Sequence, residues 1–210
     1  MLPIPITYII IGITVLVSIP AMGNADLKWK LMFNAWQIKH HREWYRFFSH
    51  ALIHADWMHL IFNMFSFFSF GLYVESAFSS PFLFGGRGPV LFALLYIGGA
   101  AMSSVYSYEK HKEDIHYNAL GASGAVSAVI FAFALMAPTA TIQLFFGIPM
   151  KAWIFGFVFL GISWYLGRRN VGNIGHDAHF WGAVYGVVFT LCLKPSLASE
   201  FISKITGQEG

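Results

Sequence analysis

Two residues of this chain are best placed to do chemistry together: a serine that opens one apolar block and a histidine that opens another. Ser123 stands in Gly121-Ala122-Ser123-Gly124-Ala125, and His179 in Ala178-His179-Phe180-Trp181-Gly182, with Gly186 one helical turn beyond Gly182. An imidazole within reach of a serine hydroxyl can take its proton as general base, and no third acidic residue is obligatory. His59 and Asn63 are four apart and so share one helical face. An amide NH2 and an imidazole N–H aimed at one point, joined by the Ser123 backbone N–H, would stabilise the oxyanion of acyl transfer. Each run also has a plainer reading. Gly121 to Ala125 is a small-residue face of the kind that packs helices, and Gly124, Gly182 and Gly186 would serve such packing equally well. Asn63 could be a hydrogen-bonding glue between helices, and a lone histidine at a membrane surface is ordinarily a polar tip.

The elements that must carry these residues follow from composition. The 210 residues are 57% hydrophobic, 18% aromatic and 11% charged, whereas soluble domains average roughly a quarter charged. The apolar residues fall in long blocks between short polar stretches, which predicts lipid-facing helices. The blocks run from about Ile4 to Met22, Met58 to Val74, Pro89 to Tyr106, Leu120 to Ala137, Ala152 to Leu166 and His179 to Leu193, giving six expected spans. The first could instead be a signal peptide ending near Ala21, but it lacks the positively charged leading region that such a peptide carries.

Between the first two blocks, Asn24 to Trp57 mixes Trp36, Trp44, Tyr45 and Phe47 with Lys28, Lys30, Arg42 and Arg46. Aromatics and long basic side chains suit the headgroup layer, so this stretch is expected to lie in the interface. Ile142 to Pro149 is too short to span and is expected to be a turn or interfacial segment. We expect one membrane domain over 1–195 and a polar tail over 196–210 that leaves the membrane.

Successive spans alternate in direction, so blocks two, four and six start on the same side. His59, Asn63, Ser123 and His179 all lie near those starts, which places four polar side chains at similar depth under one face. Burying them in hydrocarbon is costly unless they pair or line a cavity.

Together the Gly-x-Ser-Gly run, the Ala-His-x-x-Gly run and His59-x-x-x-Asn63 closely resemble the rhomboid family of intramembrane serine proteases, from Glu43 to about Val188. The resemblance implies an all-α, polytopic, six-transmembrane-helix bundle. It also implies that Ser123 and His179 form the catalytic dyad and that His59, Asn63 and Ser123 form the oxyanion hole. Trp44-Tyr45-Arg46 is similar to the family's Trp-Arg element in the first loop, and Glu75 falls where the family often keeps a glutamate. Two departures stand out. Tyr45 replaces the tryptophan directly before the arginine, and Ser127 stands where family members carry an aromatic ring stacked on the catalytic histidine. Another ring or a hydrogen bond would then have to position His179.

The implied partners are transmembrane protein substrates and membrane lipids, with no nucleic acid, no cofactor and no metal ion. We expect a multi-pass protein of a bacterial inner (plasma) membrane. Basic residues scattered without a dense run fit anionic headgroups better than nucleic acid. Orientation is contested: the presumed active-site side holds Lys28, Lys30, Lys39, Arg42, Arg46, Lys110, Lys112, Arg168 and Arg169, which by the positive-inside rule would face the cytoplasm. The resemblance implies the reverse. Cys192, the single cysteine, rules out an intrachain disulfide. Two alternatives stay open: a catalytically inactive rhomboid-like protein that binds transmembrane helices, and a His-rich metal-binding membrane protein built on His50, His54 and His59 or on His176 and His179.

Overall fold

The computed structural model describes residues 4–143, 147–169 and 175–208. Helix α1, Ile6–Gly23, starts behind Pro5 and packs against α5, Trp57–Ser79. The first N–H groups of a helix have no intrahelical acceptor, and a carboxylate from the partner helix supplies one. Glu75 accepts from the backbone N–H of Ile6 at 2.6 Å and of Thr7 at 2.9 Å, and from the Thr7 hydroxyl at 2.7 Å. This buried acid therefore clamps α1 to α5, aided by the positive end of the α1 dipole.

The connection between them folds into α2 (Ala25–Leu31), α3 (Ala35–His41), α4 (Arg46–Ser49) and a 3-10 turn, His50–Leu52. Asn24 and Asn34 cap α2 and α3, accepting from the N–H of Leu27 and Gln37. Arg46 is turned into this loop. Its side chain does not reach headgroups; the residue is 2% exposed and donates to the carbonyls of Trp29 and Met32 at 2.7 and 2.6 Å and to Glu43 at 2.5 Å. A guanidinium has five fixed donors, enough to staple three segments of one loop. Tyr45 and Trp44 stay exposed beside it.

Helix α6, Gly88–His111, carries Pro89 in its first turn, and α7, Ser123–Met136, follows after a loop. Almost all of α7 is buried by α5, α6 and α9 (His176–Leu193), so it is the central post. Its 14 residues reach about 21 Å at about 1.5 Å per residue, less than the roughly 30 Å of hydrocarbon in a bilayer. A helix this short cannot cross the hydrocarbon from end to end, so at least one of its ends, Ser123 or Met136, stops short of a surface.

Beyond α7 the chain makes an antiparallel ribbon, β1 (Thr141–Gln143) with β2 (Pro149–Lys151), and then α8, Ala152–Arg169. The expected turn over Ile142 to Pro149 is thus closed by a short strand pair. Its middle, 144–146, lies outside the described residues, as do the side chains of Arg168 and Arg169 counted above. After α9 the expected tail forms α10, Leu197–Thr206, bent 112° from α9. Leu197 and Phe201, four apart, turn onto the core, and Lys204 donates to the Met136 carbonyl at 3.0 Å. Residues 209–210 lie outside the described residues.

The protein is an all-helical membrane bundle apart from that ribbon. Among the described residues, α1, α5 and the helix around α6 are long and apolar enough to cross a membrane, or four spans if α9 and α10 count as one. Six spans by length alone are not found, since α7 and the apolar part of α8 are shorter.

Candidate active site

Three glycine contacts bring the two chemical residues toward each other. A Cβ on Gly182 would collide with the carbonyl of Gly124, and one on Gly186 with the carbonyl of Ala128. A Cβ on Gly124 would in turn strike the Ser103 side chain on α6. Helix α7 is therefore held between α6 and α9 at backbone contact, and the start of α9 lies beside the start of α7.

A cavity of about 640 Å³ opens at this junction. Ser123, Gly121 and Gly124 line it from the start of α7, His179 from α9, and His59 and Asn63 from α5. Asp56, His50, Ser104 and Tyr117 complete much of its polar wall. Asp56 caps α5 by accepting from the His59 N–H at 2.8 Å, which fixes the turn that carries His59. Asn63 is buried and donates from Nδ2 to the His59 carbonyl at 2.9 Å, back along its own helix and not across to another. An amide carries two such hydrogens, so one remains for the cavity. Ser123 is the first residue of α7, and its N–H has no acceptor within the helix.

Gly121 is present for a reason that composition does not reveal. Its φ is +117°, in the region that favours glycine, and a Cβ there would sit 2.6 Å from Cε1 and 2.7 Å from Nε2 of His59. The turn ahead of the serine thus folds directly against that imidazole.

The same turn is pinned by the first loop. Phe33 and Ala119 exchange backbone hydrogen bonds at 2.8 and 3.0 Å, and the Gly121 N–H donates to the His50 carbonyl at 2.9 Å. The Ala122 N–H donates to His54 Nε2 at 3.3 Å, so Nδ1 carries the proton and donates to Ser18 Oγ at 2.9 Å, which donates to the Leu52 carbonyl at 3.0 Å. Burial, with His59 alongside, pushes the His54 imidazole down to about 3, and burial holds His50 down to about 4. The bond from Ala122 requires a neutral His54, whereas His50 is held neutral by burial against the pull of its backbone hydrogen bonds. The Ser104 hydroxyl lies 3.1 Å from His50 Nε2. Of the histidines considered as metal ligands, His50 and His54 are engaged in pinning the loop, and among the described residues no group of three or more His, Cys, Asp or Glu gathers to hold a metal ion.

Among the described residues, two rings approach His179. Phe159 of α8 lies 5.8 Å away at 32°, and His176 6.1 Å away and nearly perpendicular. Ser127 is buried in α7. Around it the start of α9 is fastened to α6 by Lys110 to Asp177 at 3.2 Å and by Tyr106 stacked on Trp181 at 5.7 Å.

A family model described as the rhomboid domain matches residues 41–196, and the chain belongs to the rhomboid family. Its helical bundle is the family's, and members are generally serine intramembrane proteases. Among curated proteins it is similar to RHOMBOID-like protein 12, mitochondrial, of Arabidopsis thaliana, with 28% identity over 66% of this chain and 43% of the relative. It is also similar to Rhomboid protein 1, mitochondrial, of Saccharomyces cerevisiae, with 30% identity over 66% of this chain and 39% of the relative. An uncharacterised mitochondrial rhomboid protein of Schizosaccharomyces pombe is 38% identical over 37% of this chain and 21% of the relative. The chain spans less than half the length of each. The three names are mitochondrial, so the expected bacterial membrane draws no support from them.

Proposed function

We propose that this chain is an intramembrane serine endopeptidase that hydrolyses peptide bonds in or near the transmembrane segments of other membrane proteins. The observation that carries the reading is the meeting of Ser123, His179, His59 and Asn63, from three helices, on one cavity. Ser123 Oγ attacks the scissile carbonyl carbon while His179 takes the hydroxyl proton. The developing oxyanion is held by the Ser123 N–H, the free Asn63 N–H and the His59 ring. His179 then gives its proton to the departing amine. Water, deprotonated by His179, attacks the acyl ester, and the acid leaves with Ser123 restored.

A hydroxyl at the start of a short, sunken helix can be wetted from the aqueous side without breaching the bilayer. The substrate helix must then enter sideways, and α8 suits a movable wall: it leans on α9 and α7 and turns Phe157, 63% exposed, and Trp164 outward.

The test is labelling of the detergent-solubilised protein with a serine-directed phosphonate. The wild type should label and Ser123→Ala should not; an unlabelled, folded wild type would favour a non-catalytic protein that binds transmembrane helices.

A further inference from the structure

The proposed general base needs something to hold its ring, and the helix of the nucleophile does not supply it. One turn after Ser123 stands Ser127, buried and without a ring. Nor is there room for a new ring between α7 and α9, because Gly182 and Gly186 put the two backbones in contact. The aromatic face beside His179 belongs to Phe159, at 5.8 Å and 32°.

Phe159 is itself seated. Phe155 lies 5.6 Å away on α8, and Phe131 lies 5.7 Å away on α7. The rings form a row from α7 through α8 to the histidine of α9. A phenyl ring placed this way restricts the imidazole to a narrow range of tilt, since offset and tilted aromatic pairs are favoured over other arrangements.

We infer that Phe159 is the positioning residue of His179, and that α8 therefore carries part of the dyad's geometry on the same helix that must yield to admit substrate. This rests on the reading of Ser123 and His179 as a dyad. Its consequence is a coupling. With α8 docked, the base is aligned and the serine is reactive; with α8 displaced, the ring leaves and the imidazole loses its support. Premature opening would then leave an accessible site with a poorly aligned base.

The two roles of α8 are separable with a small water-soluble phosphonate, which reaches Ser123 from the aqueous cavity and needs no lateral opening. Phe159→Leu keeps an apolar side chain of similar length but removes the ring. It should slow labelling by about 10- to 100-fold, the size of loss that a misplaced catalytic group produces. Phe159→Tyr, which keeps the ring, should restore most of the rate, and Ile162→Ala, on the exposed face of α8, should leave it unchanged. Thermal midpoints monitor folding in each case.

A second readout needs no variant activity: in protein labelled at histidine, the His179 ring-proton resonances of the wild type should carry the upfield displacement that a neighbouring ring imposes. That measurement decides the question if Phe159→Leu fails to fold. Labelling of folded Phe159→Leu at the wild-type rate, or unperturbed His179 resonances, would overturn the inference. A wild type that does not label at all would instead remove the dyad reading on which it rests.

Discussion

Gly182 faces the carbonyl of Gly124 so closely that the space for a side chain on α9 is already filled by the backbone of α7. The contact sits one residue past Ser123 and three past His179, so it sets how near the two can come. Inserting even two methyl groups there must move one helix. We predict that Gly182→Val loses about 100-fold in cleavage, because roughly 1 Å of misplacement can cost that much. Melting in detergent should show a folded protein. Cleavage at the wild-type rate would show that this contact does not set the dyad distance.

Asn63 should matter to the rate more than to binding, because the oxyanion exists only after attack. Asn63→Ala is expected to lower kcat by about 100- to 1000-fold with KM little changed, less if His59 and the Ser123 N–H compensate. An unchanged rate with a lowered melting temperature would assign Asn63 to the stability of its own helix, where it already bonds the His59 carbonyl.

Loosening the side wall should help a transmembrane substrate. Trp153 and Phe157 meet edge to face at 6.3 Å on α8, and Trp153→Ala or Phe157→Ala should speed cleavage if opening limits turnover. A cysteine pair tethering α8 to α5, with Cys192 replaced, should slow turnover until reduced. Equal turnover with and without the tether would exclude entry at this wall.

The neutral histidines of the first loop give stability a pH dependence of definite sign. His54, held down to about 3, and His50, held down to about 4, bind no proton when folded at pH 5 to 6, whereas in the unfolded chain they bind one near the ordinary value of about 6.5. Extra protons in the unfolded state make stability rise with pH. The contribution is complete above about 6.5 and is lost as pH falls from there toward about 4 for His50 and about 3 for His54. Melting followed between pH 7 and 5, above the range of ordinary carboxylates, should show this decline, and His54→Gln should lessen it while leaving the share of His50. A midpoint independent of pH over that interval would show that these rings are not held neutral.

Hydropathy and helical spacing made much of this site readable. Block boundaries fell within a few residues of the helices, and the alternation of spans was enough to bring residues 59, 63, 123 and 179 to one depth. Gly182 and Gly186 were legible as a close-packing face because they repeat at one turn. Contacts between distant segments were not legible. Arg46 has the same neighbours in sequence whether it reaches headgroups or staples a loop. The bond from Ala122 to His54 joins residues 68 apart, and nothing local announces it. Phe159 is one of many aromatics on α8, and only the packing of three helices selects it. The helix after 196 left a usable signal in Leu197 and Phe201, whose spacing of four puts them on one face.

As a proposed dyad, Ser123 and His179 must act as one unit. The most direct measurement compares cleavage of a model transmembrane substrate by wild type, Ser123→Ala, His179→Ala and the double variant, each shown to be folded. Residues that act together lose nearly everything at the first substitution. Both single variants should therefore be inactive, and the double variant no worse than either. Residual cleavage by pure Ser123→Ala, or stepwise additive losses, would show that the two residues are not a dyad.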